Sequence, residues 1–251
     1  MTISIPKLNT HRISVQLQPL TIGQSIAIAK MPPAKEQAEM TAFLRAAIQT
    51  ADGVTNPLLW TVQERMLAVA HYLSVTSPDG PDFAVGDGKF SDYLMLEIDH
   101  AEDMTDLGEA CGDKWKIRPL LGVYADSLER IMGAVKYEKG EALTGRGHWL
   151  IGAMAAMLVR VGEVVPPPES HDGEIDDWLM ERMRVFLNFP EMDFTDLAVL
   201  WAKGRKMTDH LFSIEFTDSG IVALPKEGAD GLPPCRFPVD ACLSDFAKAV
   251  A

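Results

Sequence analysis

Cysteine is scarce in this chain: 251 residues contain three, Cys111, Cys235 and Cys242. Their number is odd and too small for a disulfide framework, so reduced thiols are expected. Long apolar runs are missing as well. A bilayer span needs roughly 18 to 20 such residues, whereas the best stretch, Trp149 to Val159, is shorter and holds Gly152; membrane insertion is not expected. The first ten residues show no basic stretch followed by an apolar block, so no secretory signal is expected and the cytoplasm is read as the place of synthesis. Clustered cations are also lacking. The 23 Lys and Arg against 36 Asp and Glu leave a formal charge of −13, which argues against nucleic acid as a partner, because phosphate binding draws on clustered Lys and Arg.

What is present is an ordinary globular composition, 47% hydrophobic and 24% charged, long enough to bury a real core. Arg12 to Gln18 alternates, with Ile13, Val15 and Leu17 on one side, as a half-buried strand requires. Pro19 ends it, and Thr21 is placed to cap a helix over Ile22 to Lys30 that Pro32 and Pro33 stop. Ala34 to Thr50 carries an apolar stripe at helical spacing. Asp52-Gly53 and Asn56-Pro57 mark a loop, and Thr61-Val62-Gln63-Glu64 is a capping-box pattern opening a helix to about Ser74.

Ser77 to Gly88 is rich in Pro, Gly and Asp and reads as a loop and a domain edge. Phe90 to Ile98 fits strand or helix. Trp115 to Leu121 fits a strand before a helix over Tyr124 to Val135. His148 to Val161 is apolar nearly all round and is the expected central helix. Val164 to Gly173 is an extended linker, and helices are expected over Glu174 to Phe189 and after Pro190. Phe212 to Phe216 and Ile221 to Leu224 flank Thr217-Asp218-Ser219-Gly220 as a hairpin, before a Pro- and Gly-rich tail and a last helix from Ser244.

The expected fold is thus mainly α with small β elements: a helical core, an N-terminal strand and a C-terminal β-hairpin. Residues 1–76 form one strand-plus-helix unit, 77–90 a loop, and 91–251 a mainly helical unit with an extended tail, unless the whole chain is one domain. Val15 to Ile26 and Ile117 to Leu128 each set Pro-Leu after a strand-like piece, then glycine and a helical apolar pattern. One shared dipeptide and a glycine fall short of a sequence repeat.

Reactive groupings are sparse. No two of the six histidines stand four apart as on a zinc-binding helix. His71 and His148 lie on apolar helices, where hydrogen-bonded core histidines are the usual case. His100 sits in the acidic run Asp99 to Asp103, which fits a solvated turn or a divalent cation. Cys111, Cys235 and Cys242 could, with a fourth ligand, hold zinc or an iron–sulfur cluster, although such motifs bring close cysteine pairs; buried free thiols are the ordinary alternative. No nucleophile elbow occurs. Gly145-Arg146-Gly147 could receive an anion at a helix start but lacks the lysine of a phosphate loop. Neither catalytic residues nor a cofactor are expected. Thirteen methionines recur at apolar helical positions and suit either a core or an adaptable binding face.

The strand, Pro19-Leu20-Thr21, the following helix, Thr41-Ala42-Phe43-Leu44 and the capped Thr61-Val62-Gln63-Glu64-Arg65 together resemble the opening of tailed-bacteriophage tail proteins. In layout they are similar to T4-type baseplate-hub assembly proteins and to tail assembly chaperones. The likeness covers Ile13 to Ser74, and Asp193-Phe194, Leu197 and Trp201 followed by Leu211-Phe212 and the hairpin are similar in a more general way. The resemblance implies a non-enzymatic tail or baseplate component that docks with other tail proteins, resident in the virion tail after assembly in the host cytoplasm. The alternatives are an assembly chaperone absent from the finished particle and, from another class, a metal-dependent protein using the Cys and His ligands above.

Overall fold

The computed structural model describes residues 4–229 and 231–251. The chain forms two compact units. The first holds the residues up to His100 together with His210–Glu215 and Val222–Ala251; the second holds Ala101–Asp209 and Phe216–Ile221. The mainly α fold with small sheets is what the sequence pattern predicts. The division is not. The loop at 77–90 stays inside the first unit, because Phe83 stacks on Phe90 at 5.3 Å and meets Phe237 edge-on at 6.5 Å, and Phe237 lies 5.1 Å from Phe212. Four aromatic rings, Phe83 and Phe90 of the loop, Phe212 before the hairpin and Phe237 of the tail, therefore share one core, and each such pair adds about 0.5–1.5 kcal/mol beyond its buried area.

The first unit starts with β1 (Leu8–Asn9) and β2 (Ile13–Leu17), then α1 (Ile22–Ala29), α2 (Glu36–Ala47), β3 (Ile48–Gly53) and α3 (Val62–Thr76). β2 is the middle strand of an antiparallel sheet, and Ile13, Val15 and Leu17 are its buried face. Thr21 and Thr61 each cap a helix with a full capping box, to Gln24 and Glu64 respectively. α3 is buried over every residue from Val62 to Ala70. Its charged side chains are bonded in place: Arg65 Nη2 donates to the Gln37 carbonyl at 2.8 Å and to Thr41 Oγ1 at 2.6 Å, and Glu64 Oε2 accepts from Thr61 N at 2.8 Å and Arg12 Nη1 at 3.3 Å. Unpaired, such charges would cost several kcal/mol each. Two short strands, β4 (Ala84–Val85) and β5 (Gly88–Lys89), follow.

In the second unit the order is β6 (Thr105–Ala110), β7 (Asp113–Ile117), α4 (Gly122–Arg130), α5 (Gly145–Met157), β8 (Leu158–Arg160), α6 (Asp172–Leu187) and α7 (Glu191–Met207). Through α6 this repeats the order of the first unit, with β7 as the middle strand of its own antiparallel sheet. The match extends to single bonds. Leu17 pairs with Ile48 and Ile117 with Leu158, each the first residue of a strand that follows its helix without a loop. Gln18 N donates to Ala47 O at 2.8 Å and Arg118 N to Met157 O at 3.0 Å. Even the side chains correspond, since Gln18 Nε2 reaches Ala46 O at 3.4 Å and Arg118 Nε reaches Ala156 O at 2.9 Å. The two Pro-Leu pairs of the sequence are thus the same corner of a duplicated strand-strand-helix-helix-strand-helix unit.

Several boundaries differ from those the sequence suggests. The helix expected to run to Thr50 ends at Ala47, and the one expected to run to Val161 ends at Met157. Ile48 and Leu158 turn extended, with ψ of 117° and 139°, and begin edge strands. The hairpin is β9 (Ser213–Thr217) and β10 (Gly220–Leu224), so two residues turn it rather than four. α8 (Asp245–Val250), capped by Ser244, closes the chain in the first unit.

Candidate docking surfaces

The residues singled out for chemistry do not converge. Among the described residues no group of three or more His, Cys, Asp or Glu could hold a metal ion. Cys111 turns the β6–β7 hairpin and is exposed, against the expectation of a buried thiol, with its Sγ bonded to Asp193 O at 3.0 Å. Cys235 is buried in an isolated bridge with Ala223, and burial pushes its thiol up to about 12. Cys242 is partly buried, and desolvation with the Glu39 and Asp240 carboxylates nearby raises it further. His100 stacks on His11 with ring centroids 4.1 Å apart and bonds Asp99 at 3.0 Å, which draws the Asp99 carboxyl below its usual range. His148 is buried and bonded to Leu128 O at 2.8 Å, whereas His71 is half-buried and bonded to Pro6 O at 2.7 Å. The anion site at Gly145-Arg146-Gly147 is filled from within the second unit by Asp218, whose Oδ1 accepts Arg146 N at 2.9 Å.

The features that remain are apolar surfaces. One groove of the first unit, about 860 Å³, runs between the end of α3, the β4 loop and the tail, with Tyr72, Phe83, Phe237 and Cys242 among its walls. A second, about 390 Å³, lies between β1, α3 and the segment after β5. Its walls are Leu8, Leu67, Phe90, Leu94, Leu96 and Leu211, and Asn9, Thr10, His71 and Asp99 stand among its polar groups. Leu211 builds this site. Its backbone takes a left-handed φ of 59°, unusual for a branched residue, and it straps the neighbouring segment twice: its N–H donates to Ile98 O at 2.7 Å and its carbonyl accepts Met95 N at 2.8 Å. Leu96, between those bonds, is left 76% exposed, beside Ile98 at 47%.

In the second unit, α7 buries Leu197, Trp201 and Gly204, the last against Leu107 and Ile117. This is the apolar side that Phe194, Leu197 and Trp201 mark in the sequence. Its other side is unusual for its apolar content. Met192 is 81% and Val199 66% exposed, and with Asp196, Lys203 and Lys206, all exposed, they fall on one stripe at 100° per residue. Sequence periodicity finds the buried side first, so the outward pair at a spacing of seven was legible only once the inward side was known. The Leu96 groove had a weaker signal, the alternation Leu96-Glu97-Ile98-Asp99, which fits strand or helix equally. Comparison of the chain with protein-family models, with curated proteins and with solved structures finds no match.

Proposed function

We propose that this chain is a non-enzymatic structural or assembly protein of a bacteriophage tail or baseplate, acting by docking with other tail proteins. The observation that carries the docking part is the pairing of a leucine-lined groove with exposed Leu96 and Ile98 on the first unit, since exposed apolar patches of this kind mark interaction surfaces. The phage setting is supported by the resemblance over Ile13 to Ser74, a stretch that forms the strand, corner and three helices of the first unit; it is an argument by analogy.

Quantitative mass spectrometry of purified particles from the phage that encodes the chain tests this. A fixed copy number in the finished tail is the expected result. A chain absent from particles but bound to tail proteins in infected cells would assign it instead as an assembly chaperone. Absence from both would overturn the reading.

A further inference from the structure

We infer that the outward stripe of α7 in one copy of this chain seats in the Leu96 groove of a second copy. The inference rests on the docking reading but not on the phage setting. The apolar parts fit in kind and scale. Met192 and Val199 are seven residues apart and so project about 10 Å apart along the helix axis. A groove of about 390 Å³ has room for such side chains. Leu96 at 76% exposure, Met192 at 81% and Val199 at 66% are groups that each gain from leaving water together.

Charge selects the occupant. Copies of a chain with a formal charge of −13 repel one another, so self-contact needs a local exception. α7 supplies it: beyond Val199 the same stripe carries Lys203 and Lys206, both exposed, while Leu96 is followed by the exposed carboxylates Glu97 and Asp99. The remaining acid of the stripe is Asp196, for which the groove's lining offers the neutral polar groups of Asn9 and Thr10. Each copy has one stripe and one groove, and they are different surfaces. The contact therefore joins unlike surfaces, so copies linked by it close as a reciprocal dimer, close as a ring or grow as open chains. Its small area makes it weak and concentration-dependent.

Sedimentation velocity of the full chain from about 5 to 500 µM tests this. Average mass is expected to rise with concentration above that of a monomer and to fall when salt is raised. Leu96→Asp and Val199→Asp change exposed positions and should each remain folded by circular dichroism yet sediment as monomers. Mixed in equal amounts they should give a 1:1 dimer that grows no further, because the first keeps its stripe and the second its groove. Lys203→Glu should weaken association about tenfold. A wild-type monomer throughout, a dimer unaffected by both apolar variants, or a mixture that stays monomeric would each overturn the inference, whatever particles contain.

Discussion

Asp218 holds the start of α5: its Oδ1 accepts the backbone N–H of Arg146 at 2.9 Å. Thr144, the residue at the cap position, makes no side-chain bond, so the cap is supplied by a residue distant in sequence at the turn of the β9–β10 hairpin. Asp218→Ala should cost about 1 kcal/mol of stability, the usual loss for a helix cap. Asp218→Asn keeps an acceptor and loses only the charge facing the helix dipole, so it should cost less, and that cost relative to the unaltered chain should shrink in salt. Thermal melts of both variants at low and high ionic strength are the check.

Cys111 and Gly112, with φ of 54° and 77°, turn β6 into β7 between the paired residues Ala110 and Asp113. Two left-handed residues in a two-residue turn favour Asn-Gly. Cys111→Asn should therefore raise stability by about 1 kcal/mol, against which stands only the weak thiol bond to Asp193 O at 3.0 Å. Urea unfolding would show a higher midpoint with an unchanged slope.

At Gly152 the direction is opposite to helix propensity. An added methyl would run into Leu128 Cδ2, and Leu128 is fully buried, so it can yield only by repacking its neighbours. Alanine gains about 0.5–1 kcal/mol in a helix interior, but overpacking costs about 1–3 kcal/mol, so Gly152→Ala should destabilise. The double variant Gly152→Ala with Leu128→Ala should lose less than the two single losses added together, as contact between the sites requires.

Burial holds the His148 imidazole below the usual histidine pKa. Its Nε2 bonds Leu128 O, and its Nδ1 is buried without a partner, so a second proton would have no acceptor. The unfolded chain takes up that proton near pH 6.5 and the folded chain does not. The contribution of neutral His148 is therefore complete above about pH 6.5 and is lost as pH falls from there towards the depressed folded value. His148→Gln should lower stability at pH 7.5 but flatten the decline towards pH 5.5. Melting temperatures of both proteins across that range would reveal it.

Local chemistry was the legible part of this fold. Thr21 and Thr61 could be placed as caps because a hydroxyl before an apolar stripe has one common use, and β2 could be placed because its inward face is unbroken. The edge strands could not. β3 is Ile48-Gln49-Thr50-Ala51-Asp52-Gly53, mostly exposed, and β8 is three residues joined directly to α5; what makes them strands is pairing with β2 and β7, which one segment cannot reveal. The duplication was hidden similarly, because the shared bonds from residues 18 and 118 are made by Gln in one unit and Arg in the other. The docking surfaces were least legible, since exposure of Leu96 or Val199 is set by the packing around them.

The first unit is interrupted: its opening residues run to His100, and its remainder arrives only from His210 onwards. On a translating ribosome, nearly all of the second unit emerges before Leu211, Phe212 and Phe237 do. The nascent residues up to His100 must wait, their leucines and aromatics uncovered, until the segment from His210 is made. A premature stop after Met207 would accordingly harm the beginning of the protein more than its middle.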